Sequence, residues 1–157
     1  MDTGRVAAGL LLGLALLGGM LIPVLPCARA SSDPRVLRAA GMAYGLGRLV
    51  CHQRSERSFH SCGAQWPVCG RCSGLYLGAA LGAAIAGARR RRTAVAWGQW
   101  RRRMLVAAAP IALLWGIEAA GLFDPGTPVR FLTALPLGLT TSAWLAAIVR
   151  EELSGKT

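Results

Sequence analysis

The sequence lacks the residue constellations by which common soluble enzymes are recognised. It has no Ser/His/Asp triad, no glycine-rich loop of the kind that cradles phosphate, and no carboxylate pair at the spacing that glycosidases use. It is also poor in charge, since 16% of its 157 residues are charged while 54% are hydrophobic. Such a chain is too apolar for an ordinary soluble domain, and its length predicts a single domain, residues 1–157.

The apolar residues form continuous blocks and do not alternate with polar residues. Two blocks carry no charge, a third is interrupted only by Glu118, and a fourth reaches spanning length if its helix begins near Cys72. The core of a bilayer requires about twenty helical residues. We therefore predict an all-α, polytopic membrane protein, a bundle with spans at about 6–25, 72–88, 104–123 and 131–149.

The first block has a second interpretation. Ala28-Arg29-Ala30, followed by Ser31, has the small-x-small form of a signal-peptide cleavage site. The block is longer than the usual apolar region of a signal peptide, however, and Arg5 is the only basic residue before it. We expect an uncleaved span, and a cleaved signal would leave the following segment on the same side of the membrane.

The net charge of +11 has a membrane explanation. Two arginine clusters, Arg89–Arg92 and Arg101–Arg103, lie in one connector, residues 89–103, which contains no acidic residue. Short arginine-rich connectors remain cytoplasmic, and anionic lipid head groups attract them. Trp97 and Trp100 suit an interfacial segment on the inner leaflet. No folded soluble module is visible, so we expect the lipid bilayer as partner and no nucleic acid.

The orientation of the chain follows from this connector. If it is cytoplasmic, the span 72–88 runs from outside to inside, and the segment 51–72 before it is extracytoplasmic. Both termini are then expected inside. The stretch from Asp33 to Val50 is partly amphipathic but too short and too rich in arginine to span. We expect a helix there that lies at the outer interface and delivers Cys51 to the membrane surface.

The extracytoplasmic segment carries thiols and an imidazole at close spacing. Cys51 and His52 are adjacent, and Cys69 and Cys72 form a C-x-x-C pair. If a helix begins near Pro67, the two later cysteines lie one turn apart on one face. The free amides and the positive dipole end of that helix would stabilise a thiolate. These conditions favour metal ligation or dithiol redox chemistry.

Three functions remain open for this segment. The first is a zinc or iron site with Cys51, His52, Cys69 and Cys72 as ligands. The second is a membrane thiol–disulfide oxidoreductase in which Cys69 and Cys72 exchange and Cys51 or Cys62 resolves, although no thioredoxin-like βαβ pattern is present. The third is a set of structural disulfides that fix the outer loop to the bundle. The sequence assigns no catalytic residue and leaves open whether the protein is an enzyme.

Three motifs in this segment resemble those of a known family. Cys51 to Gln53 reads C-H-Q, Glu56 to Phe59 reads E-R-S-F, and Cys69 to Gly78 reads C-G-R-C-S-G-L-Y-L-G. In sequence and spacing they resemble the DUF2085 family of small bacterial and archaeal membrane proteins. The resemblance implies a polytopic membrane protein, for which we expect a bacterial source, and it supplies no established activity. Farther along, Arg130 and Thr133 resemble the family's R-x-x-T-G motif, with alanine in place of the glycine.

Several polar residues are expected to support the site. Glu118 is a carboxylate within an apolar span, where such a group is costly and is usually paired or functional. It lies near the outer end of its span, on the same side as the cysteines. We expect a set of polar side chains to converge there with the cysteines: Arg57, Arg71, Glu118, Asp124 and Arg130. A structural pair between Glu118 and a nearby arginine is the alternative.

Gly74, Gly78 and Gly82 form a small-x-x-x-small face on the second predicted span. Such a face lets another helix backbone approach closely in lipid. We expect it to serve ordinary helix packing, and a homo-oligomer formed through it is a further expectation.

His60 lies outside the motifs, and we expect it on the surface.

Overall fold

The computed structural model describes residue 19, residues 21–88 and residues 97–154. Within these residues the chain is helical apart from one short hairpin, so the all-α prediction is confirmed for this part. The elements in chain order are a helical segment α1 (residues 21–28), α2 (Pro34–Val50), a 3-10 turn (Ser55–Arg57), β1 (His60–Ser61), β2 (Ala64–Gln65), α3 (Gly70–Ala88), α4 (Trp97–Ala119) and α5 (Gly126–Ser154). Most of the predicted span 6–25 and the cluster Arg89–Arg92 lie outside the described residues.

Local sequence explains where α2 begins and ends. The Asp33 side chain accepts a hydrogen bond from the Arg35 amide at 2.8 Å, and Pro34 occupies the first helical position. Both features are typical of helix N-termini. The helix ends where Cys51 takes up an extended conformation, with its amide donating to the Gly47 carbonyl at 2.9 Å. The helix predicted between Asp33 and Val50 is therefore present.

Helix α5 is the central element, and α3 packs along it through glycines. A β-carbon added at Gly74, Gly78 or Gly82 would collide with backbone carbonyls of α5, and one added at Gly138 would collide with the Leu75 carbonyl. The two backbones therefore approach closely because these positions carry no side chain. The small-x-x-x-small face is used within one chain, as expected for ordinary packing. A homo-oligomer through this face stays a prediction.

Helix α4 also packs against α5. At the end where α4 begins, the Trp97 and Trp144 rings lie 5.7 Å apart, and the Arg103 guanidinium lies 5.3 Å from the Trp100 ring centre. The aromatic and basic side chains predicted for the inner interface therefore occur at one end of the α4–α5 pair. The opposite end contains the α4–α5 loop, residues 120–125.

One helix in the described part of the chain is long and apolar enough to cross a membrane by length and composition, with a mean hydropathy of 1.6 over Gly126–Val149. Helix α3 contains Arg71 and five glycines, and α4 carries Arg101–Arg103 near its start. These residues lower the mean hydropathy of both helices. The prediction of four spans therefore stays a prediction.

The hairpin was not predicted from the sequence. Its strands pair His60 with Gln65 and Ser61 with Ala64, and the two turn residues, Cys62 and Gly63, have φ values of 50° and 72°. Positive φ at both central positions is the conformation of a two-residue type I′ turn, which glycine adopts without strain. Two residues per strand are too few for a recognisable alternation of polar and apolar residues.

A disulfide joins this hairpin to α1. Cys62 at the hairpin tip is bonded to Cys27, with the two Cα atoms 5.0 Å apart across 35 residues of sequence. The Ser61 hydroxyl also donates to the Pro23 carbonyl at 3.2 Å. The segment between α2 and α3 is therefore fixed at its tip to the end of α1.

Candidate metal centre

Three cysteines meet where α2 ends and α3 begins. Cys51 follows the last residue of α2, Cys69 immediately precedes α3, and Cys72 lies in the first turn of α3. Their sulfur atoms all lie within 4.8 Å of one another. Cys51 is buried, the other two are partly buried, and all three are free thiols.

A side-chain amide holds the two ends of this segment together. The Gln53 Nε2 group donates to the Tyr44 carbonyl of α2 at 2.8 Å and to the Pro67 carbonyl ahead of α3 at 2.6 Å. A β-carbon at Gly47 would lie only 2.6 Å from that Pro67 oxygen, so glycine permits the approach. The Tyr44 hydroxyl donates in addition to the Gln65 carbonyl. These bonds fix the position of Cys51 relative to Cys69 without using a sulfur atom.

The start of α3 stabilises a thiolate. The Cys69 amide donates to the Cys51 sulfur at 3.2 Å. A hydrogen bond from the Cys72 thiol lowers the pKa of Cys69 to about 5, helped by the backbone amides of Cys72 and Arg71 and by the Cys51 thiol, against an opposing effect of burial. The thiolate is the form that binds metals and attacks disulfides. The expectation of a thiolate at this helix start therefore has a structural counterpart.

The other predicted ligands and sulfur partners lie apart from this group. His52 is exposed and is not among the residues whose ligand atoms gather, so its role as a fourth ligand stays a prediction. Cys62 is bonded to Cys27 and is not a free resolving thiol. His60 is exposed, where its Nε2 atom lies 3.0 Å from the Ser55 hydroxyl, as expected for a surface histidine.

Four of the five supporting polar residues form one ionic network. Glu118 Oε1 accepts from Arg71 Nη2 at 2.5 Å and from Arg130 Nε at 3.2 Å. Arg130 Nη2 also lies 3.3 Å from Glu118 Oε2 and 2.9 Å from Asp124 Oδ1. The Arg130 side chain is 2% exposed and that of Glu118 is 10% exposed. Pairing with both arginines satisfies the carboxylate, which agrees with the structural alternative for Glu118.

Arg71 connects the thiol group to this network. It lies between Cys69 and Cys72 in the C-x-R-C motif, and its side chain reaches α4 to pair with Glu118. Within the described residues, the buried Arg71 Nε atom has no hydrogen-bond partner. The arginine of the motif therefore joins the start of α3 to the end of α4.

The fifth supporting residue, Arg57, lies beside the network. A cavity of about 140 Å³ opens between the α4–α5 loop and the turn that precedes the hairpin, lined by Arg57, Glu118, Gly121, Phe123, Asp124 and Arg130. The Gly126 amide donates to Asp124 at 3.0 Å, and this bond, together with Arg130, lowers the pKa of the Asp124 carboxyl. Asp124 is therefore an anion at neutral pH.

The E-R-S-F motif contributes Arg57 to the lining of this cavity. The Phe59 ring lies 5.0 Å from the Trp66 ring and 5.6 Å from the Phe131 ring of α5. The buried Ser58 hydroxyl donates to the Arg54 carbonyl at 2.8 Å. These contacts fix the turn that carries Arg57. Sequence reasoning named the motif but not these roles, nor that of Gln53, because they depend on contacts between distant segments.

Comparison with known proteins agrees with the motifs. The family model described as predicted membrane protein (DUF2085) matches residues 51–144, which is more than half of the chain. An uncharacterised protein of Methanocaldococcus jannaschii is 28% identical over 114 residues, covering 72% of each chain. An uncharacterised protein of Methanothermobacter thermautotrophicus is 53% identical over 32 residues, covering 20% of this chain and 29% of the relative.

Both relatives are archaeal, so they do not support the expected bacterial source. No solved structure matches the chain. The family match spans all three thiols of the group, the E-R-S-F turn and the ionic network. The chain therefore belongs to the DUF2085 family of predicted membrane proteins.

Proposed function

We propose that this membrane protein binds a zinc or iron ion through Cys51, Cys69 and Cys72. The observation that carries the proposal is the gathering of three free sulfur atoms within 4.8 Å of one another. Thiolates bound to one tetrahedral zinc ion lie about 3.8 Å apart, given a zinc–sulfur bond of about 2.3 Å. Small rotations of side chains would bring the three sulfurs to that separation.

Three thiolates leave one position of a tetrahedral ion to another ligand. His52 is the sequence-predicted candidate, and as an exposed side chain next to Cys51 it would have to turn toward the sulfurs. Without it, the fourth position is open to water or to a substrate, as in catalytic zinc sites. The identity of the fourth ligand therefore separates a closed structural site from an open one.

We further propose that the site faces the outside of the cell, on a multi-pass protein. The arginine-rich connector 89–103 favours a cytoplasmic position for the opposite end of α3. The Cys27–Cys62 disulfide supports an oxidising compartment for the hairpin. Large apolar side chains are exposed on the helices, among them Leu81, Leu113 and Leu132, at 45%, 69% and 61%. Such surface fits lipid contact.

The metal proposal is tested by elemental analysis of the full chain in detergent. We expect one zinc or iron per chain in the wild type, and loss of the metal in Cys69→Ser and Cys72→Ser variants. His52→Ala should weaken binding if the imidazole is a ligand, and His60→Ala is the matched control because it removes an exposed histidine away from the sulfurs. A wild-type protein without metal under non-chelating conditions would overturn the proposal.

The orientation is tested separately with reporter fusions. An alkaline phosphatase fused within the segment 51–72 should be active, and one fused within 89–96 should be inactive. The reverse pattern would place the thiols in the cytoplasm and remove the argument from the disulfide.

A second function, thiol–disulfide exchange by Cys69 and Cys72, is favoured by the lowered pKa of Cys69. Cys51 is the remaining candidate for the resolving thiol, since Cys62 is bonded to Cys27. In this case the protein would contain no metal, and two of the three thiols would react with maleimide only after reduction. Changes of that thiol count on addition of a quinone or a thiol partner would indicate an oxidoreductase.

A further inference from the structure

The cavity and the ionic network behind it together carry more positive than negative charge. The cavity lining contains two arginines, Arg57 and Arg130, and two carboxylates, Glu118 and Asp124. Arg71, which does not line the cavity, adds a third positive charge through its pair with Glu118. Within the part of the chain that the structure describes, no ion pair is formed by Arg57, while both other arginines pair with Glu118. One positive charge at the cavity is therefore left without a carboxylate partner.

Arg130, the most buried residue of the network, donates a hydrogen bond to the exposed carboxylate of Asp124. Arg130 is 2% exposed, yet its Nη2 atom binds Asp124, whose side chain is 74% exposed. An exposed carboxylate can leave such a pair at little cost, because water solvates it. The buried guanidinium remains paired with Glu118, and its Nη2 group then has a donor free for another acceptor. The Asp124 carboxylate therefore occupies a position that an external anion could take.

The size of the cavity restricts what can bind there. Pockets for drug-sized ligands measure about 300–1,000 Å³, and this one measures about 140 Å³. It has room for a group of a few heavy atoms. Guanidinium groups bind carboxylates and phosphates through paired, charge-assisted hydrogen bonds.

We infer that this cavity binds a small oxyanion, a carboxylate or phosphate group, through Arg57 and Arg130, and that Asp124 is its intramolecular substitute. The inference does not depend on a metal at the cysteines. The same chemistry serves a free anion or the phosphate of a lipid head group, since the cavity lies at the end of the bundle where α4 meets α5.

The test is calorimetric titration of the full chain in an uncharged detergent with inorganic phosphate and with acetate, against chloride at equal ionic strength. We expect saturable binding of at least one of the two oxyanions. Arg57→Gln should weaken it about tenfold, as expected for one lost charge-assisted interaction. Asp124→Asn should strengthen it several-fold by removing the competing carboxylate. Arg54→Gln removes an exposed arginine three residues away and should change the affinity less than twofold.

Nanodiscs distinguish the two sources of the anion. Phosphatidylglycerol in the disc should weaken phosphate binding, relative to phosphatidylcholine alone, if a lipid head group occupies the cavity, and should leave it unchanged if the ligand is a free anion. The inference is overturned if neither oxyanion binds saturably to the wild type and to Asp124→Asn. It is also overturned if Arg54→Gln weakens binding as much as Arg57→Gln, since that would indicate only general surface charge.

Discussion

The five cysteines divide into two groups that the structure treats differently. Cys27 and Cys62 are bonded to each other and join the end of α1 to the hairpin tip. Cys51, Cys69 and Cys72 have sulfur atoms within 4.8 Å of one another and remain free. The structure therefore separates a bonded pair from a group of free thiols.

The two groups differ in the other contacts that hold the backbone near them. At the hairpin, one 3.2 Å hydrogen bond, from Ser61 to Pro23, accompanies the disulfide. At the thiol group, Gln53 already ties α2 to the residues before α3, and Arg71 ties α3 to α4. A covalent bond between those sulfurs is not needed to hold the helices. The comparison teaches that the first pair supports the fold, whereas the second group is available for a ligand.

The largest expected effect concerns Cys51. Under the metal proposal, Cys51→Ser removes one of three thiolates and should weaken zinc binding on the order of 100-fold, since structural zinc sites derive about 10–16 kcal/mol from a few ligands. Competition with a chromophoric chelator measures the affinity. If Cys69 and Cys72 were instead an exchanging pair, Cys51→Ser would leave their reversible disulfide intact.

Loss of the Cys27–Cys62 disulfide should lower stability and leave metal binding unchanged. Replacing both Cys27 and Cys62 by serine should lower the free energy of unfolding by about 2–4 kcal/mol, as is typical for a disulfide, while metal stoichiometry stays at the wild-type value. Thermal unfolding in detergent and elemental analysis measure the two quantities on one sample. Loss of metal together with stability would mean that the two groups are not independent.

Replacing Gln53 is expected to have a smaller effect on both the free energy of unfolding and the zinc affinity. Gln53→Ala removes two hydrogen bonds from partly buried carbonyls, which should cost about 1–3 kcal/mol of stability and weaken zinc binding by roughly one order of magnitude through misplacement of Cys51. Gln99→Ala is the control, since that residue lies at the far end of the bundle. An unchanged zinc affinity in Gln53→Ala would show that the amide does not position the thiols.

Residue chemistry and spacing were sufficient to predict several of these features. Pro67 predicted a helix start nearby, and the C-x-x-C spacing predicted that Cys69 and Cys72 would share one face because one helical turn separates them. A carboxylate in an apolar block predicted that Glu118 would be either paired or functional, and the glycine spacing predicted the close packing of α3. Each of these inferences depends on local periodicity or on the cost of burying a charge.

Other features depend on contacts between segments far apart in sequence, which periodicity cannot supply. The Cys27–Cys62 disulfide spans 35 residues, and five cysteines allow many pairings. His52 is exposed, and it precedes a backbone turn at Gln53, whose φ is 49°. Such left-handed conformations are uncommon outside glycine, and no feature of the sequence predicts this one.

The smallest expected effect concerns the alkylation rate of Cys69, which should hardly change with pH. With its pKa lowered to about 5, Cys69 in metal-free protein is mostly thiolate from pH 6 to pH 8, so its alkylation rate should vary less than about twofold over that range and fall at lower pH. An ordinary thiol with a pKa of about 8.5 gains thiolate about 80-fold over the same range. Iodoacetamide labelling with peptide mass spectrometry resolves each cysteine.

The Cys72→Ser variant is the matched comparison for this pH profile. It removes the thiol hydrogen bond that lowers the pKa of Cys69 most, so the labelling rate of Cys69 should regain a rise between pH 6 and pH 8. A serine hydroxyl can still donate a hydrogen bond, so Cys72→Ala should restore the rise more fully. If wild-type Cys69 already followed the ordinary profile, the start of α3 would not stabilise a thiolate, and the three free cysteines would differ from Cys27 and Cys62 only in lacking a bonded partner.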